Sequence, residues 1–120
     1  HDYDKKTLLR NIKKYLKEKR PVMCTEYMAR EMGTTFKYSL PIFKKYNIGC
    51  MNWGLVAGKS QTHFNWKTIK KLEIKKKNKQ FLKKNEKLPE PKLWFHDIYR
   101  VDGSAYNKNE INLIKQMIIS

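Results

Sequence analysis

The sequence predicts an α/β fold of alternating helices and parallel strands. A strand, a helix and a second strand fit into about 30 residues, from Val22 to Trp53, the span of one right-handed βαβ unit. The first strand, over 22–26, does not alternate in polarity, which suits a parallel strand covered on both faces. Two core strands in 120 residues are too few for a stable open sheet or barrel. The chain therefore reads as the closing third of a larger α/β structure.

Each element has its own signal. Leu8, Leu9, Ile12, Tyr15 and Leu16 recur at helical spacing with lysines opposite, which predicts a first helix. Asp4 suits its cap, Tyr3 can pack on Leu8 as a staple, and Arg20-Pro21 ends it. The strand over 22–26 follows. Beyond Gly33-Thr34-Thr35, the residues Phe36, Leu40, Phe43 and Tyr46 predict a second helix over 36–46. Pro41 predicts a late start or a kink in it, and Asn47 a stop. Ile48 to Trp53 is the second strand, and 55–66 is polar, irregular loop material. Residues 67–87 carry ten lysines among apolar residues too sparse to assign, either a marginal helix or a mobile insertion. Pro89-Glu90-Pro91 closes that stretch, Leu93-Trp94-Phe95 reads as a short extended piece, and Asp102-Gly103 marks a turn. The last helix starts at Asn107, with Glu110 completing a capping box and Ile111, Ile114, Met117 and Ile118 as its apolar stripe.

Composition bounds the function. The chain is 40% hydrophobic and 12% aromatic, which is globular rather than disordered. No run approaches the roughly 18 apolar residues of a membrane span. No secretory signal is visible, and a sequence opening on His1 leaves localisation unassigned. Lys+Arg of 27 against Asp+Glu of 11 gives a net charge of +16, which attracts anionic partners in dilute salt. Only Arg10, Arg20, Arg30 and Arg100 are arginine, and arginine is the side chain that reads guanine edges and grips phosphate bidentately. Nucleic-acid binding is therefore disfavoured as the main role. Cys24 and Cys50 lie in apolar segments and make neither a disulfide framework nor a zinc spacing. Free thiols are expected, with no metal or other cofactor.

The chemistry centres on two strand ends. Side chains alternate along a strand, so Val22, Cys24 and Glu26 share one side, as do Gly49, Met51 and Trp53 on the next. As parallel neighbours, the strands bring Glu26 and Trp53 to the same C-terminal end. A carboxylate beside a large aromatic plate suits a carbohydrate: the sugar's CH face stacks on indole while the acid addresses the anomeric carbon. Spacing alone equally allows a loop carboxylate and a rim aromatic.

Three blocks carry a resemblance. TEYMAR at 25–30, IGCMNWGLVAGKSQTHFNW at 48–66 and EPKLWFHDIYRVDGSAY at 90–106 occur in the order found in the C-terminal part of clan A glycoside hydrolases. These are the cellulase-like (β/α)8 enzymes grouped around family five. His1-Asp2-Tyr3 is similar to the His-x-Tyr element ending that family's sixth strand. The resemblance implies that 1–120 is the C-terminal portion of a TIM barrel, from about strands six and seven to helix eight, with a Lys-rich insertion at 67–87. It implies a retaining glycosidase acting on a β-glucan- or mannan-type polysaccharide or oligosaccharide. Glu26 matches the nucleophile, and His1 and Tyr3 match donors that keep it ionised. Trp53 matches the aromatic floor of the sugar subsite. Lys59, Gln61, Thr62 and His63 lie in the following loop, within reach of substrate hydroxyls. Arg30 is expected to pair with a barrel carboxylate, and Trp94, Phe95, His96 and Asp97 match a characteristic block of the family that serves packing more often than chemistry.

One departure limits the chain. Retaining hydrolysis needs two carboxyl groups about 5–5.5 Å apart. The family's acid/base glutamate ends strand four, which is absent, and Glu18, Glu73, Glu86 and Glu110 offer no substitute. A full barrel takes about 250 residues. The isolated chain is expected to be inactive, its partners being the rest of the barrel and a carbohydrate. The Lys-rich segment is a lid, a dock for anionic polysaccharide or an unconstrained insertion. Two other classes stay open: a basic module for nucleic acid or an anionic surface, and a non-catalytic barrel remnant.

Overall fold

A computed structural model describes residues 4–58, 62–77 and 89–119. The described elements are α1 (Lys5–Leu16), β1 (Met23–Cys24), α2 (Phe36–Lys45), β2 (Gly49–Cys50), α3 (Trp66–Lys77) and α4 (Lys108–Ile119), with a 3-10 turn at Arg30–Met32.

Asp4 caps α1, its Oδ1 accepting from the Thr7 amide at 2.8 Å, while Leu8 and Ile12 bury the inner face. The helix ends before Arg20-Pro21, because Lys19 turns left-handed at φ 53°. Tyr3, the expected staple, lies outside the described residues.

The two strands pair in parallel, Met23 opposite Gly49 and Cys24 opposite Cys50. Both are shorter than the sequence suggests. The ladder stops after the Met51 amide reaches the Cys24 carbonyl at 2.9 Å, and the chain bends at Thr25. That bend breaks the alternation expected to run through Glu26. Val22, Cys24 and Cys50 face the helical layer, whereas Met23, Met51 and Trp53 are exposed at 62%, 52% and 58%.

The helix α2 neither starts late nor waits for Pro41. Thr35 caps it, accepting from the Tyr38 amide at 3.3 Å, and it runs through the proline to Lys45. The bond that Pro41 removes is to the Lys37 carbonyl, and both residues lie on the solvent-exposed face of the helix. Asn47, at φ 52°, turns the chain into β2.

The core forms where α1 and α2 cover the sheet. The Tyr27 ring stands edge-on to Phe36 and Phe43, with centroids 6.0 and 5.1 Å away, among Leu8, Ile12, Leu40 and Ile48. Ile114 and Met117 of α4 pack against this cluster, but Ile118, expected on the same stripe, is 77% exposed. A groove of about 480 Å³ remains between α2, β2 and α4, lined by Leu40, Phe43, Cys50, Ile114, Met117 and Ile118 among others. Both cysteines are half-buried thiols outside any disulfide. Burial pushes the Cys50 thiol up, opposed by a hydrogen bond with Tyr27.

The helix α3 starts inside the expected loop, and 78–88 lie outside the described residues. Its start is fixed locally: Asn65 Oδ1 accepts from the Thr68 amide at 2.8 Å, and Trp66 packs edge-on to Phe95 at 5.7 Å. The turn at Asp102-Gly103 forms as expected, Gly103 at φ 82° and the Ser104 amide donating to Asp102 Oδ1 at 2.9 Å. Glu110 does not complete a capping box. Its carboxylate turns to Arg30 instead, with contacts of 3.0 and 2.7 Å. No described helix is long and apolar enough to cross a membrane.

Candidate active site

Beyond β2 the chain makes an irregular excursion, and the segment 94–100 lies between its two limbs. The Phe95 and His96 amides donate to the His63 and Thr62 carbonyls at 2.9 and 3.1 Å. The Ile98 and Tyr99 amides donate to the Leu55 carbonyl at 3.1 and 2.9 Å, and the Ala57 amide donates to the Tyr99 carbonyl at 2.8 Å. Irregular backbone thus finds its hydrogen bonds in other irregular backbone.

Side chains complete this framework. Asn52 donates Nδ2 to the Gly54 carbonyl and, at 3.2 Å, to the His96 carbonyl. Asp97 is fully buried, and its Oδ2 accepts from Thr62 Oγ1 at 2.7 Å. Its carboxylate lies against Gly54. A Cβ there would collide with the Asp97 carboxylate and approach Thr62 Oγ1 to 2.9 Å. His96 Nδ1 sits 2.5 Å from the Met28 carbonyl. A carbonyl only accepts, so Nδ1 carries the proton. Burial pushes the His96 pKa down; the Met28 bond, Asp97 and Glu26 act against it, and Arg30 acts with it.

Glu26 is exposed, two residues past β1, and its carbonyl accepts from Cys24 Sγ at 3.5 Å. It borders a cavity of about 240 Å³ shared with Leu8, Asn11, Tyr15, Cys24 and Thr34. Counting on from the Cys24–Cys50 pair sets Glu26 level with Asn52, one residue short of Trp53. Both residues thus lie past the C-terminal ends of the paired strands and are exposed, Glu26 on the side of α1, where it borders Leu8, Asn11 and Tyr15.

The remaining expected residues separate. His63 is packed rather than open, its ring 4.2 Å from Phe64 and 5.3 Å from Trp94, centroid to centroid. Burial pushes its pKa down, and Asp97, with an oxygen 3.8 Å from Nδ1, pulls the other way, followed by Glu90. The Thr62 hydroxyl is committed to Asp97. Arg30 is buried and pairs with Glu110 of α4. His1, Tyr3, Lys59 and Gln61 lie outside the described residues.

Four described carboxylates have partners away from Glu26: Glu31 with Asn65, Glu90 with Arg100, Glu110 with Arg30 and Asp97 with Thr62. Among the described residues, no group of histidine, cysteine and acidic side chains could hold a metal ion. Sequence reasoning missed Asn52 and Gly54 and read His96 and Asp97 as serving packing more than chemistry. The signal was the glycine directly after Trp53, a position where a neighbour needs the missing Cβ. A scan against protein-family models and searches of curated proteins and solved structures find no match to this chain.

Proposed function

We propose that the chain is the C-terminal part of a retaining glycoside hydrolase acting on β-glucan- or mannan-type polysaccharide. Glu26 is the nucleophile and Trp53 the stacking platform for the sugar. The observation that supports this reading is that Glu26 and Trp53, both exposed, follow the C-terminal ends of two strands paired in parallel. That is the end at which α/β barrels collect catalytic groups.

In the proposed reaction a Glu26 oxygen attacks the anomeric carbon. The bond to the leaving oxygen breaks, and that oxygen takes a proton from an acid outside these residues. Water, deprotonated by the same outside group, then hydrolyses the glycosyl ester with retained configuration. The separate partners of Glu31, Glu90, Glu110 and Asp97 support an outside source for the second carboxyl group.

The test uses a fluorinated aryl glucoside and mannoside whose leaving groups depart without acid assistance. Mass spectrometry should find one glycosyl adduct, on Glu26, and none in Glu26→Gln. An unlabelled Glu26 with both probes would remove its assignment as nucleophile. Ordinary aryl glycosides, which need the acid, should not be turned over by the chain alone; Glu26-dependent turnover would show that the chain holds both carboxyl groups.

A further inference from the structure

We propose that Asp97 is a positioning residue for Trp53. The inference rests on the reading of Trp53 as a sugar platform and deepens it. Trp53 is 58% exposed, so packing alone does little to orient its indole. Its backbone, by contrast, is held on both sides by one dipeptide. Before it, Asn52 donates to the His96 carbonyl at 3.2 Å; after it, Gly54 lies against the Asp97 carboxylate.

The carboxylate is unusual for its surroundings. It is fully buried, and its Oδ1 has no hydrogen-bond partner among the described residues. Among the described residues the basic atom within ion-pair range is His63 Nδ1, 3.8 Å away on a ring that burial pushes toward neutrality. A buried acid without a cation carries a desolvation cost that a neutral side chain of the same shape would avoid. What the acid adds is a strong, directional acceptor. Its Oδ2 draws in the Thr62 hydroxyl at 2.7 Å, closing the returning limb of the loop onto the limb that bears Trp53. The absent Cβ at Gly54 lets the carboxylate come this close. Trp53 thus projects from a loop fixed across its base, the preorganisation a stacking surface needs.

The experiment labels the chain with 5-fluorotryptophan and follows its fluorine resonances, assigning Trp53 by Trp53→Phe. Asp97→Asn and Thr62→Val should move the Trp53 resonance toward the shift of the free amino acid. Trp94, buried in the same segment at 1% exposure, should keep its resonance. Thr62→Ser, which restores the hydroxyl, should restore the Trp53 resonance. Cellohexaose or mannohexaose, titrated on the Trp53 resonance, should bind about tenfold more weakly to the first two variants, the scale of loss expected from a displaced contact group. An unmoved Trp53 resonance in Asp97→Asn overturns the proposal. So does a Trp94 resonance that moves with it, since that marks general loss of structure. If the parent Trp53 resonance ignores both sugars, the platform reading fails, and the resonance pattern alone still decides whether Asp97 orients the loop.

Discussion

Two arginine–carboxylate forks grip the ends of segment 94–100, alike in shape and unlike in setting. Arg30 meets Glu110 through Nε at 3.0 Å and Nη2 at 2.7 Å, and Arg100 meets Glu90 through the same atoms at the same distances. Arg30 and Glu110 side chains are 3% and 14% exposed; those of Arg100 and Glu90 are 35% and 47%. Arg30 also donates to the Trp94 carbonyl at 3.3 Å and lies 4.7 Å over the Tyr106 ring. The Arg100 guanidinium donates to the Ala105 carbonyl at 2.8 Å and lies 5.3 Å from the Trp94 ring. The contrast teaches that geometry does not set the worth of an ion pair. Water replaces a lost partner at the surface, whereas in the interior the remaining charge is stranded.

The largest expected effect is on the inner fork. Arg30→Ala should cost about 3–5 kcal/mol of stability, because it leaves the Glu110 carboxylate and the Trp94 carbonyl without their partner. Urea unfolding measures it, and a loss under about 1 kcal/mol would mean that solvent already reaches the pair.

Between the forks lies His96. Its folded-state pKa is held below 6.5, so as pH falls the unfolded chain takes up the proton first. Stability should therefore decline as pH drops below 6.5, with His63 adding in the same direction. His96→Gln should flatten part of that decline in urea midpoints taken across pH. An unchanged slope would show that His96 takes up its proton at the same pH in the folded and unfolded chain.

The smallest effect belongs to the outer fork. Arg100→Ala should lower the melting temperature only slightly, and about 0.5 M salt should erase most of the difference. The Arg100 hydrogen bond holds the Glu90 carboxyl below its usual range. Its contribution is present above that range and should fade as pH falls through the lowered value. A salt-resistant loss as large as that of Arg30→Ala would erase the distinction.

How much was legible depended on the range of the forces involved. The helices α1, α2 and α4 announce themselves through local periodicity, and Asp4 and Asn47 through local caps. The helix α3 has a weak apolar pattern, and its start is fixed by Asn65 and by Trp66 against Phe95, nearly thirty residues away. Strand residues could be identified but strand ends could not, because a ladder extends only as far as its partner does. At the site, Glu26 and Trp53 were legible as the last residues of two strands, and the structure sets them two and three residues beyond the strand ends. The burial of Asp97 was not, since it depends on contacts with Gly54 and Thr62 made only after folding. Glu110 was misread for the same reason: a cap is local, and its actual partner, Arg30, is eighty residues away.

The sheet's open side has a consequence for redox chemistry. Met23 and Met51 present their thioethers there at 62% and 52% exposure, while Met28 is sealed at 1%. An oxidant therefore converts the first two to sulfoxide long before the third. Sulfoxide is polar and resists burial, so oxidative ageing would make this exposed face of the sheet more polar. It would leave the helical core untouched.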